Sequence, residues 1–141
     1  MRFVVLAALV GLSACASIPF VGETPVRTAC DEPPITLYFE PDNENLPATA
    51  APLIRHAKDA VDRCAAQGGR LRRITVIAFP DAGDDGEAAQ RAALSRAESV
   101  VAALVDAGLP PERVVALDFR RAEADPSRIM RRNAEISLDM E

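Results

Sequence analysis

Two long segments with the apolar spacing of helices alternate with short runs of β-branched and aromatic residues, and this order restricts the chain to few folds. The short runs lie at residues 35–39, 73–79, 114–119 and 134–138, and they predict four strands. The order β-α-β-α-β-β, with helices of crossover length, predicts an α/β fold in the form of an α+β sandwich. We expect two helices packed on one mixed four-stranded sheet.

Both helices carry signals for their ends. Thr49 can cap the start of the first helix, Gly68 and Gly69 can end it, and Gly108 can end the second helix. The residues that recur at helical spacing, and that we expect to face the core, are Leu53, Ala57, Ala60, Val61 and Cys64 in the first helix and Ala89, Ala93, Ala97, Val100, Val101 and Leu104 in the second.

The first residues of the chain have the features of a targeting segment. Arg2 precedes an apolar stretch at residues 3–12, which is shorter than the roughly 18–20 residues of a membrane-spanning helix. Leu12-Ser13-Ala14-Cys15 matches the lipobox of bacterial lipoproteins. This match predicts cleavage before Cys15 and acylation of that residue. The alternative is an ordinary secretory signal in which Cys15 is an incidental thiol.

The lipobox divides the chain into three parts. Residues 1–14 are the predicted lipoprotein signal peptide, residues 15–34 the lipidated N-terminus and a linker, and residues 35–141 one folded domain. Proline recurs in the linker at positions 19, 25, 33 and 34, with little periodicity. Ala16 stands where lipoproteins kept at the inner membrane often carry Asp, so we expect a lipid anchor in the outer membrane and a domain facing the periplasm.

Charge argues against nucleic acid as a partner. The formal net charge of the chain is −5, whereas binding to a phosphate backbone needs a basic stripe. The densest basic clusters are short, and we interpret them as solvated faces or strand flanks; they are Arg70-Arg72-Arg73 and Arg128-Arg131-Arg132.

The sequence gives little support for catalysis. Its one histidine, His56, lies inside the first predicted helix. The acidic cluster Asp81, Asp84 and Asp85 lacks the glycine and the final Glu of a calcium loop. There is no zinc-ligand spacing and no phosphate loop, so we predict no enzyme activity, no metal site and no cofactor.

Four segments between roughly residues 35 and 138 match the motifs of one known domain family. Tyr38-Phe39-Glu40-Pro41-Asp42, with Leu46 after it, is similar to that family's Y-F-D-F-D and its following Leu. Ala78-Phe79-Pro80-Asp81 stands where the family has G-H-T-D. Arg96-Ala97-Glu98-Ser99-Val100 matches R-A-x-x-V at the family spacing from Asp81, and Arg131-Arg132-Asn133-Ala134-Glu135-Ile136 resembles N-R-R-V-E-I. In these segments the chain resembles the OmpA-like peptidoglycan-binding domain family.

The resemblance implies a peptidoglycan-binding protein that tethers the outer membrane to the cell wall. Its ligand would be the diaminopimelate side chain of the stem peptide, which carries an ammonium and a carboxylate on one carbon. Asp81 would bind the ammonium, and Arg96 would donate two parallel hydrogen bonds to the carboxylate. Arg132 is the remaining match to the N-R-R positions. Stem peptides without this centre would leave the charged pair poorly matched.

Departures from the family support a second hypothesis. Ala78, Phe79 and Pro80 replace Gly-His-Thr, which removes a histidine and a hydroxyl, and proline also removes a backbone N–H. The alternative function is therefore a protein–protein adapter in an envelope complex, without peptidoglycan binding. In that case Asp81 would be a turn residue or a favourable charge near a helix N-terminus.

The two arginines of the second helix are predicted to differ. Glu87 lies four residues before Arg91, in the orientation of an exposed helical ion pair. The helical neighbours of Arg96 are not acidic, so its guanidinium is left for a partner outside the helix. These neighbours are Ala92, Ala93, Ser99 and Val100.

Cys30 and Cys64 allow two interpretations. In a right-handed crossover the first helix returns antiparallel to the first strand, so Cys64 should lie near the strand's start, just after Cys30. The oxidising periplasm permits a disulfide. Alternatively, Cys64 is a free thiol that behaves as a small apolar residue on the core face of the helix.

Overall fold

The elements follow one another in the predicted order. The computed structural model describes residues 28–41, 43–80, 86–117 and 132–141. Within these ranges the chain forms β1 (Ile35–Tyr38), α1 (Ala50–Ala66), β2 (Leu71–Ala78), α2 (Glu87–Asp106), β3 (Val114–Leu117) and β4 (Asn133–Met140), with a short 3-10 helix at Pro111–Arg113. The predicted signal peptide, the lipidation site Cys15 and the site residue Asp81 lie outside the described residues.

The last strand occupies the interior of the sheet. The strand order is β1-β4-β2-β3, and β4 pairs antiparallel with both β1 and β2. The two strands β2 and β3 are parallel neighbours. The predicted mixed sheet of four strands is therefore confirmed for the described part of the chain.

β4 is longer than its sequence pattern predicts. The expected strand at residues 134–138 extends in the structure from Asn133 to Met140. The register carries it along the whole of β2, from Ala78 opposite Ala134 to Leu71 opposite Met140. The added residues Asp139 and Met140 pair with β2 alone, and their backbone hydrogen bonds to that strand need no apolar signal in the sequence.

The helices cover one face of the sheet and bury a core of small and branched residues. From β2, Ile74, Val76 and Ala78 alternate into this core. The buried residues of α1 are Ala50, Ile54, Ala57, Ala60 and Cys64, and those of α2 are Ala93, Arg96, Ala97, Val100 and Leu104. The expected core residues Leu53, Val61 and Val101 are only partly buried against this cluster. Arg96 was not expected among the buried residues.

Both helices end in the glycine motif that the sequence predicts. Gly68 (φ 85°) and Gly108 (φ 94°) adopt left-handed conformations. The N–H of Gly68 donates to the carbonyl of Ala65, and that of Gly69 to the carbonyl of Cys64. This pair of hydrogen bonds defines a Schellman motif. At the other end of α1, Thr49 occupies the capping position, but its side chain makes no capping hydrogen bond, so this expectation was wrong.

A disulfide joins the end of α1 to the chain ahead of β1. Cys30 and Cys64 are bonded, with their Cα atoms 4.6 Å apart and a sequence separation of 34. Glu32 adds two contacts to α1: a hydrogen bond with Nε2 of His56 at 2.7 Å and an ion pair with Arg63 at 3.3 Å. The last residues of the predicted linker are therefore held on the helix.

Gly69 lies against this disulfide. A Cβ atom on Gly69 would come within 2.5 Å of the Sγ atoms of Cys30 and Cys64, and within 2.9 Å of the carbonyl oxygen of Glu141. No side chain fits there without displacing the bond or the end of β4. A glycine is required at this position by close approach.

We expect Gly69→Ala to lower the free energy of unfolding by about 1–3 kcal/mol, the usual cost of overpacking. Urea unfolding of the oxidised protein measures this loss. In a Cys30→Ala, Cys64→Ala background the cost should shrink, because two of the three clashing atoms are gone. An unchanged cost in that background would contradict the proposed clash.

Removing the disulfide itself should also destabilise the domain. A bridge that closes a loop of this length contributes about 3–4 kcal/mol in the chain-entropy model. The double Cys30→Ala, Cys64→Ala variant should lose stability by this order in urea, and adding reductant should then change its unfolding midpoint no further. A variant as stable as the oxidised wild type would refute the prediction.

Candidate functional site

The candidate site forms where β1 and β2 end and β4 begins. Since β4 runs antiparallel to both, its first residues lie between the last residues of the other two strands. The N–H of Arg132 donates to the carbonyl of Pro80 at 3.1 Å, and the carbonyl of Arg132 accepts from Phe39 N–H at 3.0 Å. The main chain of Arg132 therefore links β1 to β2. We call this region the strand-end site: Phe39, Asn43, Pro80, Arg96 and Arg132.

Arg132 makes these bonds from an uncommon backbone conformation. Its φ of 70° lies in the left-handed region, which non-glycine residues adopt rarely and at a cost of about 1–3 kcal/mol. The hydrogen bonds to Phe39 and Pro80 hold the residue there. Strained residues of this kind cluster at functional sites.

Arg96 reaches the site from the buried face of α2. Its neighbours on that face are Ala93, Ala97 and Val100, all buried. The arginine itself is only 5% exposed. Its position three residues after Ala93 places it in the apolar stripe that packs on the sheet.

The Arg96 guanidinium is oriented by the loop after β1. Its Nε donates to the carbonyl oxygen of Asn43 at 3.3 Å, and its Cζ lies 5.7 Å from the centroid of the Phe39 ring. That distance is within the range of a cation–π interaction. Both contacts lie outside α2, whereas the exposed Arg91 pairs with Glu87 at 2.9 Å within the helix, as its spacing predicts.

Phe39 connects the two arginines of the site. Its ring contacts Arg96, and its backbone N–H is bonded to Arg132. Neither this role nor that of Asn43 was identified from the sequence. The one available signal was the position of Phe39 in the segment that resembles the family's first strand. Asp81 lies outside the described residues, directly after Pro80 in the chain.

A second charged group lies at the opposite end of the sheet, and we call it the arginine end. Arg70, Arg72, Arg73 and Arg113 line a cavity of about 500 Å³ together with Asp139 and Glu141. The sequence indicated three of these arginines as strand flanks. It did not indicate that Arg113 and the two carboxylates join them, because these residues come from distant parts of the chain.

Ion pairs and backbone contacts hold the arginine end together. Arg70 and Arg72 both pair with Glu141, the latter at 3.0 Å, and Arg113 donates to the carbonyls of Leu71 at 2.7 Å and Arg72 at 3.1 Å. Hydrogen bonding to Arg70 holds the pKa of the Glu141 carboxyl below its usual range, and the positive charges of Arg70 and Arg72 act in the same direction.

The described residues contain no group of three or more His, Cys, Asp or Glu side chains placed to hold a metal ion. Among the helices of the same residues, none is long and apolar enough to cross a membrane. His56 is about half exposed and contacts Glu32.

Comparison with known proteins identifies the domain type. The model of the OmpA family matches residues 38–135. No curated protein sequence matches the chain.

Three solved structures share the fold at low sequence identity. The peptidoglycan-associated lipoprotein from Burkholderia pseudomallei has a TM-score of 0.55 at 17% identity, over 74% of this chain and 89% of that one. The OmpA-like domain of FopA1 from Francisella tularensis subsp. tularensis SCHU S4 has a TM-score of 0.56 at 16% identity, over 77% of this chain and 75% of that one. A putative MotB-like protein from Desulfovibrio vulgaris has a TM-score of 0.54 at 21% identity, over 79% of this chain and 78% of that one.

We expect Arg96→Met to lower the free energy of unfolding by about 1–3 kcal/mol, because methionine fills a similar volume but leaves the Asn43 carbonyl without this donor and the Phe39 ring without a cation. Arg91→Met is the control, and as an exposed substitution it should change stability by less than about 0.5 kcal/mol. Urea unfolding compares them. Equal effects would contradict a supporting role for the Arg96 contacts.

The lowered pKa of the Glu141 carboxyl should make the free energy of unfolding depend on pH. Its pKa is lowered in the folded state, so its contribution to stability is present above the unfolded pKa and is lost as the pH falls through the folded pKa. Glu141→Gln should therefore be less stable than wild type at neutral pH, and the two should converge in acid. Glu98→Gln, on the exposed face of α2, is the control. Urea midpoints across the acid range test the convergence.

Proposed function

The chain belongs to the OmpA family, and from this premise we propose that it binds peptidoglycan non-covalently through the diaminopimelate side chain of the stem peptide. The observation that carries the proposal is the buried Arg96, fixed by Phe39 and Asn43 beside the strand ends. It lies at the family spacing from Asp81. One protein of similar fold is itself a peptidoglycan-associated lipoprotein.

The chemistry of the ligand matches one cation and one anion. Diaminopimelate presents a carboxylate and an ammonium on the same carbon. We assign the carboxylate to the terminal nitrogens of Arg96, which can donate two parallel hydrogen bonds, while Nε is directed to Asn43. We assign the ammonium to Asp81. Arg132 adds a second positive charge at the same end of the sheet.

Burial makes the Arg96 guanidinium a strong anchor. A side chain that is 5% exposed interacts with an anion in an environment of low dielectric, where hydrogen bonds and charges act more strongly than in water. The Phe39 ring and the Asn43 carbonyl also fix its plane before a ligand arrives. Such preorganisation reduces the entropy that binding must overcome.

The backbone at the base of the site is also fixed. Pro80, the residue before Asp81, accepts a hydrogen bond from Arg132, and Phe79 donates to the carbonyl of Asn133 at 2.8 Å. The two residues that lead to Asp81 are therefore joined to the start of β4. A rigid support of this kind favours precise placement of a ligand-binding carboxylate.

We further propose that the protein is a lipoprotein of the outer membrane, anchored through Cys15, with its domain in the periplasm. The disulfide fixes Cys30 to α1, so the linker that remains between Cys15 and Cys30 is residues 16–29, or 14 residues long. A flexible chain of that length spans roughly 20 Å. The domain would thus join the cell wall to the membrane at short range.

One observation favours the alternative of a protein adapter in an envelope complex. The N–H of Phe79 is already bonded to Asn133, and Pro80 has no N–H. Two consecutive backbone positions before Asp81 therefore offer no donor to a ligand. If the remaining groups bind peptidoglycan too weakly, the strand-end site would serve to contact a protein instead.

Co-sedimentation with purified sacculi tests the two proposals. We expect the wild type to pellet with diaminopimelate-type sacculi, and Asp81→Asn and Arg96→Gln to weaken this binding by roughly thirtyfold or more, because losing one member of a desolvated charge pair costs about 2–5 kcal/mol. Arg91→Gln is the matched control and should pellet like the wild type. Sacculi with lysine in place of diaminopimelate should bind poorly.

Two results would reject cell-wall binding. The wild type could fail to pellet at low salt, which would leave the adapter as the better proposal. Alternatively, Arg91→Gln could lose binding as fully as Arg96→Gln, which would indicate non-specific attraction by charge. Urea unfolding of each variant, measured beside its binding, separates a loss of binding from the stability loss expected for Arg96 variants.

A further inference from the structure

The arginine end combines a concentration of cations with a cavity. Four arginines and two carboxylates surround about 500 Å³, in a chain whose formal net charge is −5. The group is therefore a local excess of positive charge on an acidic protein. Guanidinium groups arranged around a cavity are suited to phosphate because each can donate two parallel hydrogen bonds.

These arginines are held in place before any ligand binds. Arg113 is fixed by two backbone carbonyls, and Arg70 and Arg72 are drawn together by Glu141. Arg73 lies opposite Asp139 in the β2–β4 ladder, and among the described residues it forms no ion pair. The cluster thus offers Arg73, which has no ion pair in the described part of the chain. It also offers Arg70 and Arg72, whose shared partner, the Glu141 carboxylate, is exposed and can be replaced by another anion.

The position of the cluster in the fold links it to the N-terminal segment. Gly69 touches both the Cys30–Cys64 disulfide and the main chain of Glu141, and Arg70 follows it directly. The point where the N-terminal segment joins the domain is therefore next to the cavity. The strand-end site lies at the other end of β2, whose eight residues separate the two by roughly 23 Å.

We propose that the arginine end docks on the phosphate groups of an anionic lipid surface, the membrane to which the N-terminal segment leads. The proposal rests on the lipid-anchored arrangement of the proposed function. The tether leaves the domain beside the cavity and so keeps the arginines close to the lipid headgroups. Because the anchor already holds the protein at the membrane, the headgroups have a high effective concentration, and weak contacts suffice for docking. The strand-end site is then directed away from the membrane.

Glu141 has a defined role in this arrangement. It competes with lipid phosphate for Arg70 and Arg72, since both guanidinium groups already pair with its carboxylate. Docking replaces this internal anion with an external one. The competition lowers the affinity of Arg70 and Arg72 for lipid phosphate, and removing the carboxylate should raise it.

Vesicle flotation tests the proposal without the lipid anchor. A chain of residues 16–141 retains every residue of the buried core, which extends from Ile35 to Ile136, and circular dichroism and a thiol count verify its folding. We expect it to float with phosphatidylcholine vesicles that contain phosphatidylglycerol, and not with phosphatidylcholine alone. Binding should fall as salt is added.

Charge-matched variants separate the cluster from the net charge. Arg72→Gln with Arg73→Gln should lower the partition coefficient by roughly 30-fold, from about fivefold per arginine at an anionic surface. The control is Arg55→Gln with Arg91→Gln, two exposed helix positions, and should cost far less. Glu141→Gln should increase binding severalfold, whereas Glu98→Gln should not.

Three results would overturn the proposal: equal binding to both kinds of vesicle, equal losses in the two double variants, or no gain with Glu141→Gln. Sacculus binding of the same variants is a separate measurement, in which the arginine-end substitutions should behave like wild type. Failure of sacculus binding with intact vesicle docking rejects the cell-wall function alone, and the converse rejects the membrane docking alone.

Discussion

The pairing of β4 between β1 and β2 is the constraint on which the rest of the structure depends. This strand, the last in the described chain, supplies the hydrogen bonds that join β1 to the rest of the sheet. Its first residues fall between the ends of two strands, and its last residues meet the start of β2. Both charged regions of the molecule are therefore built on the two ends of one strand.

At the start of β4, the hydrogen bonds that join the strands lie beside the contact that supports the Arg96 side chain. The main chain of Arg132 joins Phe39 to Pro80, while the Phe39 ring supports the guanidinium of Arg96. A buried cation requires such partners, because removing its hydration costs several kcal/mol. The same contacts that offset this cost also orient the arginine, so stability and the proposed binding role are coupled at this site.

At the second end, covalent and electrostatic contacts converge around Gly69. The disulfide lies on one side of this residue and the main chain of Glu141 on the other. Glu141 in turn holds Arg70 and Arg72. The N-terminal segment thus enters the domain where positive charge is concentrated, and the proposed ligand site is at the far end. Under the two proposals, one end of this small domain contacts a membrane and the other contacts the cell wall.

The amino-acid sequence by itself determined the order of the elements, the two glycine-terminated helices and the family resemblance, because periodicity and turn chemistry act over neighbouring residues. It also indicated Arg96 as a candidate ligand-binding residue, through its spacing from Asp81 and its non-acidic helical neighbours. The tertiary structure alone decided four features. They are the disulfide rather than a free thiol, the position of β4 inside the sheet, the burial of Arg96 beside Phe39, and the grouping of Arg113 and Glu141 with the arginines of β2. Each of these depends on contacts between residues far apart in the chain, and their formation is set by packing and strand register, which no local pattern encodes.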